Sequence, residues 1–450
     1  MPKQLDFLTL EVGSTITKAN GFMRTADNSL EHVAQGFAPT SVSQGNVGIG
    51  IFAAVDDLEK RSSYGTDTCE VFANSSAAGG LRVTVHGLTY NMTARAAKEA
   101  SLGAGAIIKK VTAGELSEYD IDEIEELQPN MIVLAGGVDF GAKEIVLGNA
   151  MKLAAMDIGA PVVYAGNSAL KRGVETIFHR TGVEIAVVPN VFPDVDQLNV
   201  EPLRRRMQDL FSKHIIHAPG MERLKAISNH TIIPTPAAVL RATEIFAETL
   251  GDVVVIDVGG ATTDVHSVTD GSKEFADKLT DPEPHSKRSV EGDLGVFVNA
   301  ANIIEISEEA SRQDKADEIK AIPSSDSEKE MTCWLCRKAV EIGVRRHAAV
   351  VSEIFTPVGR RQVIKGKDLT AVKYVIGTGG ALTRVEGGRK ILESICTGVG
   401  KYLMPPKTAQ ILIDSDYLFS ALGTMSVDYP ELVKNTFKSW SEKHDKLFSI

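Results

Sequence analysis

Several things are scarce in this chain, and each scarcity excludes something. Only four of its 450 residues are cysteines, Cys69, Cys333, Cys336 and Cys396. Four thiols at this length make no disulfide framework, so a reducing cytoplasm is the expectation. No apolar run approaches the roughly 20 residues that a membrane helix needs, and no membrane partner is expected. The opening residues, MPKQLDFLTLEVG, run straight into a strand without the apolar core of a signal peptide. Basic residues number 48 against 59 acids, a formal net charge of −11. That balance argues against nucleic-acid binding, which draws on lysine and arginine to neutralise phosphates. Low-complexity segments are absent. Against these gaps stand 43% hydrophobic and 24% charged residues, ordinary for a globular protein. The length suffices for two or three domains with a substantial core.

The most informative stretch is residues 253–268, VVVIDVGGATTDVHSV. Its continuous apolar run reads as a buried strand. Gly259 and Gly260 permit a tight turn and close approach of a ligand to the backbone. Successive amides there, with Ala261 and Thr262, can converge on a phosphate oxygen. Asp257 stands at the end of the strand, placed to hold a hydrated cation, since Mg²⁺ takes one or two carboxylates plus waters and substrate phosphates. Residues 7–22, FLTLEVGSTITKANGF, echo the plan: strand, acid (Glu11), glycine (Gly13), hydroxyls (Ser14, Thr15) and a base (Lys18). A third glycine-rich turn, YVIGTGGALTRV, brings Gly377, Gly379 and Gly380, which could admit an adenosine. Any one turn alone is better explained as an ordinary glycine loop. Three in this order are not.

The order resembles the actin, sugar-kinase and heat-shock chaperone ATPase superfamily, with its phosphate-1, connect-1, phosphate-2, adenosine and connect-2 motifs. Residues 232–251, IIPTPAAVLRATEIFAETLG, resemble connect-1. Residues 415–427, SDYLFSALGTMSV, resemble connect-2, with Ala421 and Gly423 as small contact residues. Within the superfamily, SSAAGGLRVTVHGL, LAGGVDFGAKE and VEGDLG resemble the glutamate mutase accessory family, called MutL or GlmL. The resemblance covers nearly the whole chain. It implies an α/β fold of two ribonuclease-H-like (actin-like ATPase) lobes with an inserted βαβ subdomain. The expected divisions are a first lobe over 1–119, an insertion over 120–199, connecting helices over 200–252, a second lobe over 253–428 and a helical tail over 429–450.

Along the chain, residues 19–24 and 31–38 read as strands, 47–60 as a helix and 69–73 as a strand. Gly79 and Gly80 precede a further strand through Val85, and 92–103 reads as a helix, all expected in the first lobe. Three short apolar strands alternate with helices over 120–191, implying parallel βαβ units. Gly136, Gly137 and Asp139 follow the first of these strands, where open sheets bind ligands, although a packing turn is the favoured reading there. Arg204-Arg205-Arg206 reads as a solvated face, 270–289 as an exposed loop, and 306–330 as a surface helix followed by a flexible loop. Helix is expected from Met331 to Phe355, and an amphipathic tail helix carries Trp440 and Phe448. Glu291 and Asp293 could reach the nucleotide or its cation, or equally form a turn. Cys333 and Cys336 supply half of a zinc site at most and read as ordinary helix cysteines. Asp264 and His266 imitate an Asp-x-His-x-x-Gly cobalamin motif, but Thr269 replaces its glycine, so no cobalamin is expected on this chain.

By resemblance, ATP and Mg²⁺ are the expected cofactors, in a cleft between the lobes. Gly13, Ser14 and Thr15 would hold one side of the phosphates, and Gly259, Gly260, Ala261 and Thr262 the other. Lys18 is a candidate phosphate contact. Asp257 and Glu11 are the candidate catalytic and metal-binding carboxylates, and Gly377, Gly379 and Gly380 line the adenosine pocket. Positioning and charge neutralisation carry most of phosphoryl transfer. Glu11 stands where the superfamily commonly has aspartate, and Thr235 where chaperone-like members have glutamate. Both departures leave nucleotide binding in place and weaken the case for efficient hydrolysis. The implied function is an ATP-binding and ATP-hydrolysing, chaperone-like accessory or reactivating protein, an Mg²⁺-dependent ATPase serving an adenosylcobalamin-dependent amino-acid mutase such as glutamate mutase, whose subunits would be its partners. A small-molecule kinase of the same fold, or a nucleotide-binding interaction protein with negligible turnover, stays open, as does a homodimer.

Overall fold

The run Val253–Val258 does become a buried central strand, with Val254, Ile256 and Val258 fully buried on one face. A side chain of this size gains roughly 1.5–3 kcal/mol on burial. The computed structural model describes residues 3–76, 81–215, 221–307, 319–357 and 359–442. Contacts divide the chain into two units: Met1–Phe22 with His32–Ala237, and Met23–Glu31 with Ala238–Ile450. Among the described residues, no helix is long and apolar enough to cross a membrane.

In the second unit Val253–Val258 pairs antiparallel with Thr263–Val268, which pairs antiparallel with Ser286–Glu291. On its other side it runs parallel to Tyr374–Thr378, which runs parallel to Gln410–Ile413. The mixed sheet of the first unit has the same order: Leu30–Pro39, Ile16–Arg24, Phe7–Val12, Glu70–Ser75 and Ile233–Pro234. There too the central strand is antiparallel to its hairpin partner and parallel to its other neighbour. Each sheet thus has the strand order of a ribonuclease-H-like lobe, and the fold is the expected α/β pairing of two such lobes.

The parallel sheet begins earlier than expected. Its order is Ile185–Val187, Val162–Tyr164, Met131–Leu134, Leu81–Gly87 and Ala106–Ala113. Leu81–Gly87 was expected in the first lobe, but it pairs with Met131–Leu134 and Ala106–Ala113, ahead of Asp120. The cause is burial on both faces: Val83, Thr84, Val85 and His86 are all fully covered, as interior strands of parallel sheets are.

Four other expectations change. Ser286–Glu291 is an edge strand rather than exposed loop, because Arg288 on it is buried against Asp264. The long helix is Asp326–His347, capped by Ser325 with Glu328 reaching back. Beyond it Ala349–Thr356 is not helix but a strand, paired with Gly359–Lys365 and Tyr402–Leu403. Arg204 is not solvated: it is 4% exposed and bonded to Glu201 within the helix Glu201–Ile215. The tail helix is Pro430–Glu442, with Phe437 and Trp440 edge to face. Gly79, Gly80, residues 308–318 and Phe448 lie outside the described residues.

The helix Thr235–Leu250 leads into the second sheet and is crossed by Leu418–Met425. A Cβ on Gly423 would stand 1.7 Å from the Ala238 carbonyl oxygen. Gly423→Ala should therefore destabilise the protein by about 1–3 kcal/mol or more through overpacking. A lowered denaturant midpoint is the expected result. A midpoint equal to that of the wild type would mean the two helices part without cost.

Candidate functional site

The Gly259–Thr262 turn joins the first two strands of the second sheet. Gly259 donates its N–H to the Thr262 carbonyl at 2.9 Å, closing a tight hairpin. The carbonyls of the turn are then taken one by one by the segment that follows Glu291. Val296 donates to the Gly259 carbonyl at 3.2 Å, and Phe297 and Val298 donate to that of Gly260 at 2.9 and 2.8 Å. The Asn299 amide donates to the Ala261 carbonyl at 2.7 Å. The Thr263 hydroxyl ties the segment back by donating to the Leu294 carbonyl at 2.7 Å. With the carbonyl side fixed, the N–H groups of Gly260, Ala261 and Thr262 donate to no acceptor among the described residues. Consecutive amides so left are the makings of an anion-binding concavity. Gly295 must be a glycine here, since a Cβ would lie 2.3 Å from the Ala261 carbonyl carbon.

Asp257 is half-buried at the end of its strand. Directly across the hairpin stands Asp264, and on the other side stands Thr378. The adenosine-motif turn closes against it. Gly379 has φ +87°, and a Cβ there would meet the Asp257 Oδ1 at 2.5 Å. Conformation and contact therefore both require glycine. Gly377 is packed under Leu392, and Gly380 opens the short helix Gly380–Thr383 at the surface. The structure thus brings Asp257, Gly259, Gly260, Ala261, Thr262, Gly377, Gly379 and Gly380 to one end of one sheet.

Two neighbours of that turn escaped the sequence reading. Tyr417, at φ +56°, takes a hydrogen bond from Arg384 Nε at 3.2 Å and lies 3.0 Å from the Thr383 hydroxyl. The Arg384 guanidinium lies 5.4 Å from the Tyr417 ring centre. The arginine follows directly on the GGALT run, which was the available clue. Nothing local in the sequence points to the tyrosine.

The first unit repeats the hairpin with different charges. Gly13 donates to the Ile16 carbonyl at 3.1 Å. The carbonyls of Val12 and Thr15 accept from Ser76 and Thr40, at 3.1 and 2.9 Å. The N–H groups of Ser14 and Thr15, on exposed residues, donate to no acceptor among the described residues. Glu11 and Lys18 oppose each other in register and form an ion pair of 2.7 Å. The side chains expected to hold a metal and a phosphate are here engaged with each other.

The remaining candidates are occupied elsewhere. Glu291 and Asp293 both hold Arg346, at 2.7 and 2.8 Å, and so latch the Leu294–Asn299 segment to the long helix. The Arg346 guanidinium holds the Asp293 carboxyl below its ordinary range, while burial pushes that of Glu291 up in spite of the same arginine. Asp139 accepts from the Asn190 amide at 2.9 Å and the Ser168 N–H at 2.8 Å, a packing role for the turn after Met131–Leu134. Cys333 and Cys336 lie on the Asp326–His347 helix, where burial pushes the Cys336 thiol up. His347 is bonded to Ser267 at 2.7 Å and to Ser289. Among the described residues no three His, Cys, Asp or Glu side chains cluster as metal ligands.

Comparison with known proteins follows the same lines. A family model described as MutL protein matches residues 7–440. Protein MutL of Clostridium tetanomorphum is 34% identical over 462 residues, covering 97% of this chain and 99% of the relative. Among solved structures, the diol dehydratase-reactivating factor in nucleotide-free form overlays with a TM-score of 0.40 and 10% identity, over 94% of this chain and 99% of that one. Component A of Acidaminococcus fermentans (R)-2-hydroxyglutaryl-CoA dehydratase gives 0.33 and 11%, over 95% and 98%. These overlays are loose, and the fold assignment stands on strand order instead.

Replacing Gly295 with alanine should dislodge the carbonyl lock, because its Cβ would press on the Gly260 and Ala261 carbonyls whose peptide units carry two of the donor amides. If the turn takes phosphate, ADP binding, measured by titration calorimetry, should weaken at least tenfold while far-ultraviolet circular dichroism stays as in the wild type. Undiminished ADP binding in that variant would break the link between the lock and the turn.

Proposed function

The chain belongs to the MutL protein family, and on that footing we propose that it is a nucleotide-binding accessory protein for a mutase-type enzyme. The nucleotide is ATP, and the partner class is an adenosylcobalamin-dependent amino-acid mutase such as glutamate mutase. The observation that carries the nucleotide reading is the Gly259–Thr262 turn. Its carbonyls are tied down on one side and three successive N–H groups are left as donors. Each charge-assisted hydrogen bond from such a donor to a phosphate is worth about 1.5–3 kcal/mol.

The Asp257 carboxylate suits a magnesium ion. It is half-buried at a strand end, beside the same turn. Mg²⁺ needs only one or two protein carboxylates when waters and phosphates complete its shell, so a cluster of three is not required. Bound there, the ion would supply charge neutralisation of the phosphates. Glu11 is less suited, because Lys18 already sits on its carboxylate at 2.7 Å.

Turnover on this reading is slow. Thr235, where chaperone-like members have glutamate, spends its hydroxyl on Asn74 Oδ1 at 2.7 Å. No carboxylate base stands at that position. Nucleotide state, rather than fast hydrolysis, would govern association with the mutase.

The test is direct. ATP and ADP titrations with and without Mg²⁺ should give binding in the wild type. Asp257→Ala should lose Mg²⁺-dependent hydrolysis at least a hundredfold while retaining the wild-type circular dichroism. Tagged protein from native cells should co-purify a mutase in amounts that differ between ATP and ADP. Absence of nucleotide binding, or hydrolysis untouched in Asp257→Ala, would overturn the site. A phosphorylated small metabolite formed in proportion to ATP consumed would point to the kinase alternative.

A further inference from the structure

Arg288 is the largest fully buried side chain among the described residues, and nothing in the nucleotide reading uses it. It rises from Ser286–Glu291, opposite His266 and two residues before Val290, which is the partner of Asp264. Residues so placed on adjacent strands share a face, and long side chains reach their diagonal neighbours. The reach is made twice, from Nε at 2.8 Å and Nη2 at 2.6 Å, both to Asp264 Oδ1. The other oxygen of Asp264 accepts from the Thr262 hydroxyl at 3.3 Å. Arg288, Asp264 and Thr262 thus form a chain that ends on the phosphate turn.

The same face poses an electrostatic problem. Asp257 and Asp264 are opposed residues of one hairpin, and like charges directly opposed across strands repel. The first unit meets its own case by opposing Glu11 with Lys18. In the second unit the opposing position holds another acid, and the balancing cation comes from the third strand. His266, between them on this face, is fully buried, and its two ring nitrogens have no hydrogen-bond partner among the described residues. Burial keeps it uncharged, so the cation that Asp264 meets is Arg288.

We propose that Arg288 is a positioning residue for the phosphate site: it cancels the charge of Asp264, so that the hairpin tip presents the single carboxylate of Asp257 and a fixed Thr262 hydroxyl to an anionic ligand. This rests on the reading that the Gly259–Thr262 turn takes phosphate. At 2% exposed, Arg288 acts through Asp264 and not by touching the ligand.

Removing the arginine leaves two opposed carboxylates, which should repel phosphate and attract divalent cations. The experiment measures both on the full-length chain: ADP affinity by calorimetry without metal, and Mn²⁺ affinity by electron paramagnetic resonance without nucleotide. Arg288→Met should bind ADP at least tenfold more weakly and Mn²⁺ at least tenfold more tightly than the wild type. The charge-balanced double variant, Asp264→Asn with Arg288→Met, should return both constants to within threefold of the wild type, which a merely structural role for the arginine would not produce. Should Arg288→Met fail to fold, Asp264→Asn alone decides: it keeps the cation and should bind ADP at least threefold more tightly and Mn²⁺ more weakly. Unchanged Mn²⁺ affinity in Arg288→Met, or a double variant as impaired for ADP as the single one, would overturn the proposal. Should the wild type bind no ADP while the Mn²⁺ changes occur as stated, the charge-setting role stands and the phosphate reading falls.

Discussion

Everything at the candidate site depends on the capture of three carbonyls. A tight turn of small residues has as many acceptors as donors, and by itself it has no preference for an anion. Val296, Phe297, Val298 and Asn299 remove that balance by donating to Gly259, Gly260 and Ala261. Only then does the turn become a surface of donors. The capture needs a segment that can lie flat on the turn, hence Gly295, and a latch that holds it, hence Arg346 between Glu291 and Asp293. A helix on the far side of the sheet is in this way part of the candidate site.

The glycines of the two other motifs serve the same economy of space. Gly379 lets one backbone pass against the Asp257 carboxylate, and Gly423 lets one helix lie on the carbonyl of another. Each is a place where a single methyl group is too much. Both positions depend on the main chain coming close to its neighbours, which packing between long side chains would not require.

Much of this was legible in the sequence, because much of it is local. The hairpin of Val253–Val258 with Thr263–Val268 follows from an apolar run, two glycines and two threonines. The alternating strands and helices of residues 131–187 follow from periodicity. What the sequence hid was non-local. Ser286–Glu291 sits in a stretch of Asp, Pro, Ser and Lys that reads as loop, and it is a strand because Arg288 finds Asp264 across the sheet. Ala349–Thr356 follows a helix without any breaker, and its pairing with Gly359–Lys365 and Tyr402–Leu403 makes it a strand. The sheet membership of Leu81–Gly87 was equally invisible, since a strand carries no label of its neighbours. The carboxylates of Glu291 and Asp293 were noticed, but their partner lies more than fifty residues on.

The contrast between the two hairpins also bears on how such a protein can change over time. In one, an acid faces a lysine on the adjacent strand; in the other, an acid faces an acid, and an arginine two strands away settles the account. Exchanging one arrangement for the other therefore takes two changes at once. An arginine at position 288 without the aspartate would be a buried cation lacking the acid it now holds, and the aspartate without the arginine would set two acids opposite each other at the turn. Positions 264 and 288 are in that sense one unit, though they lie on different strands.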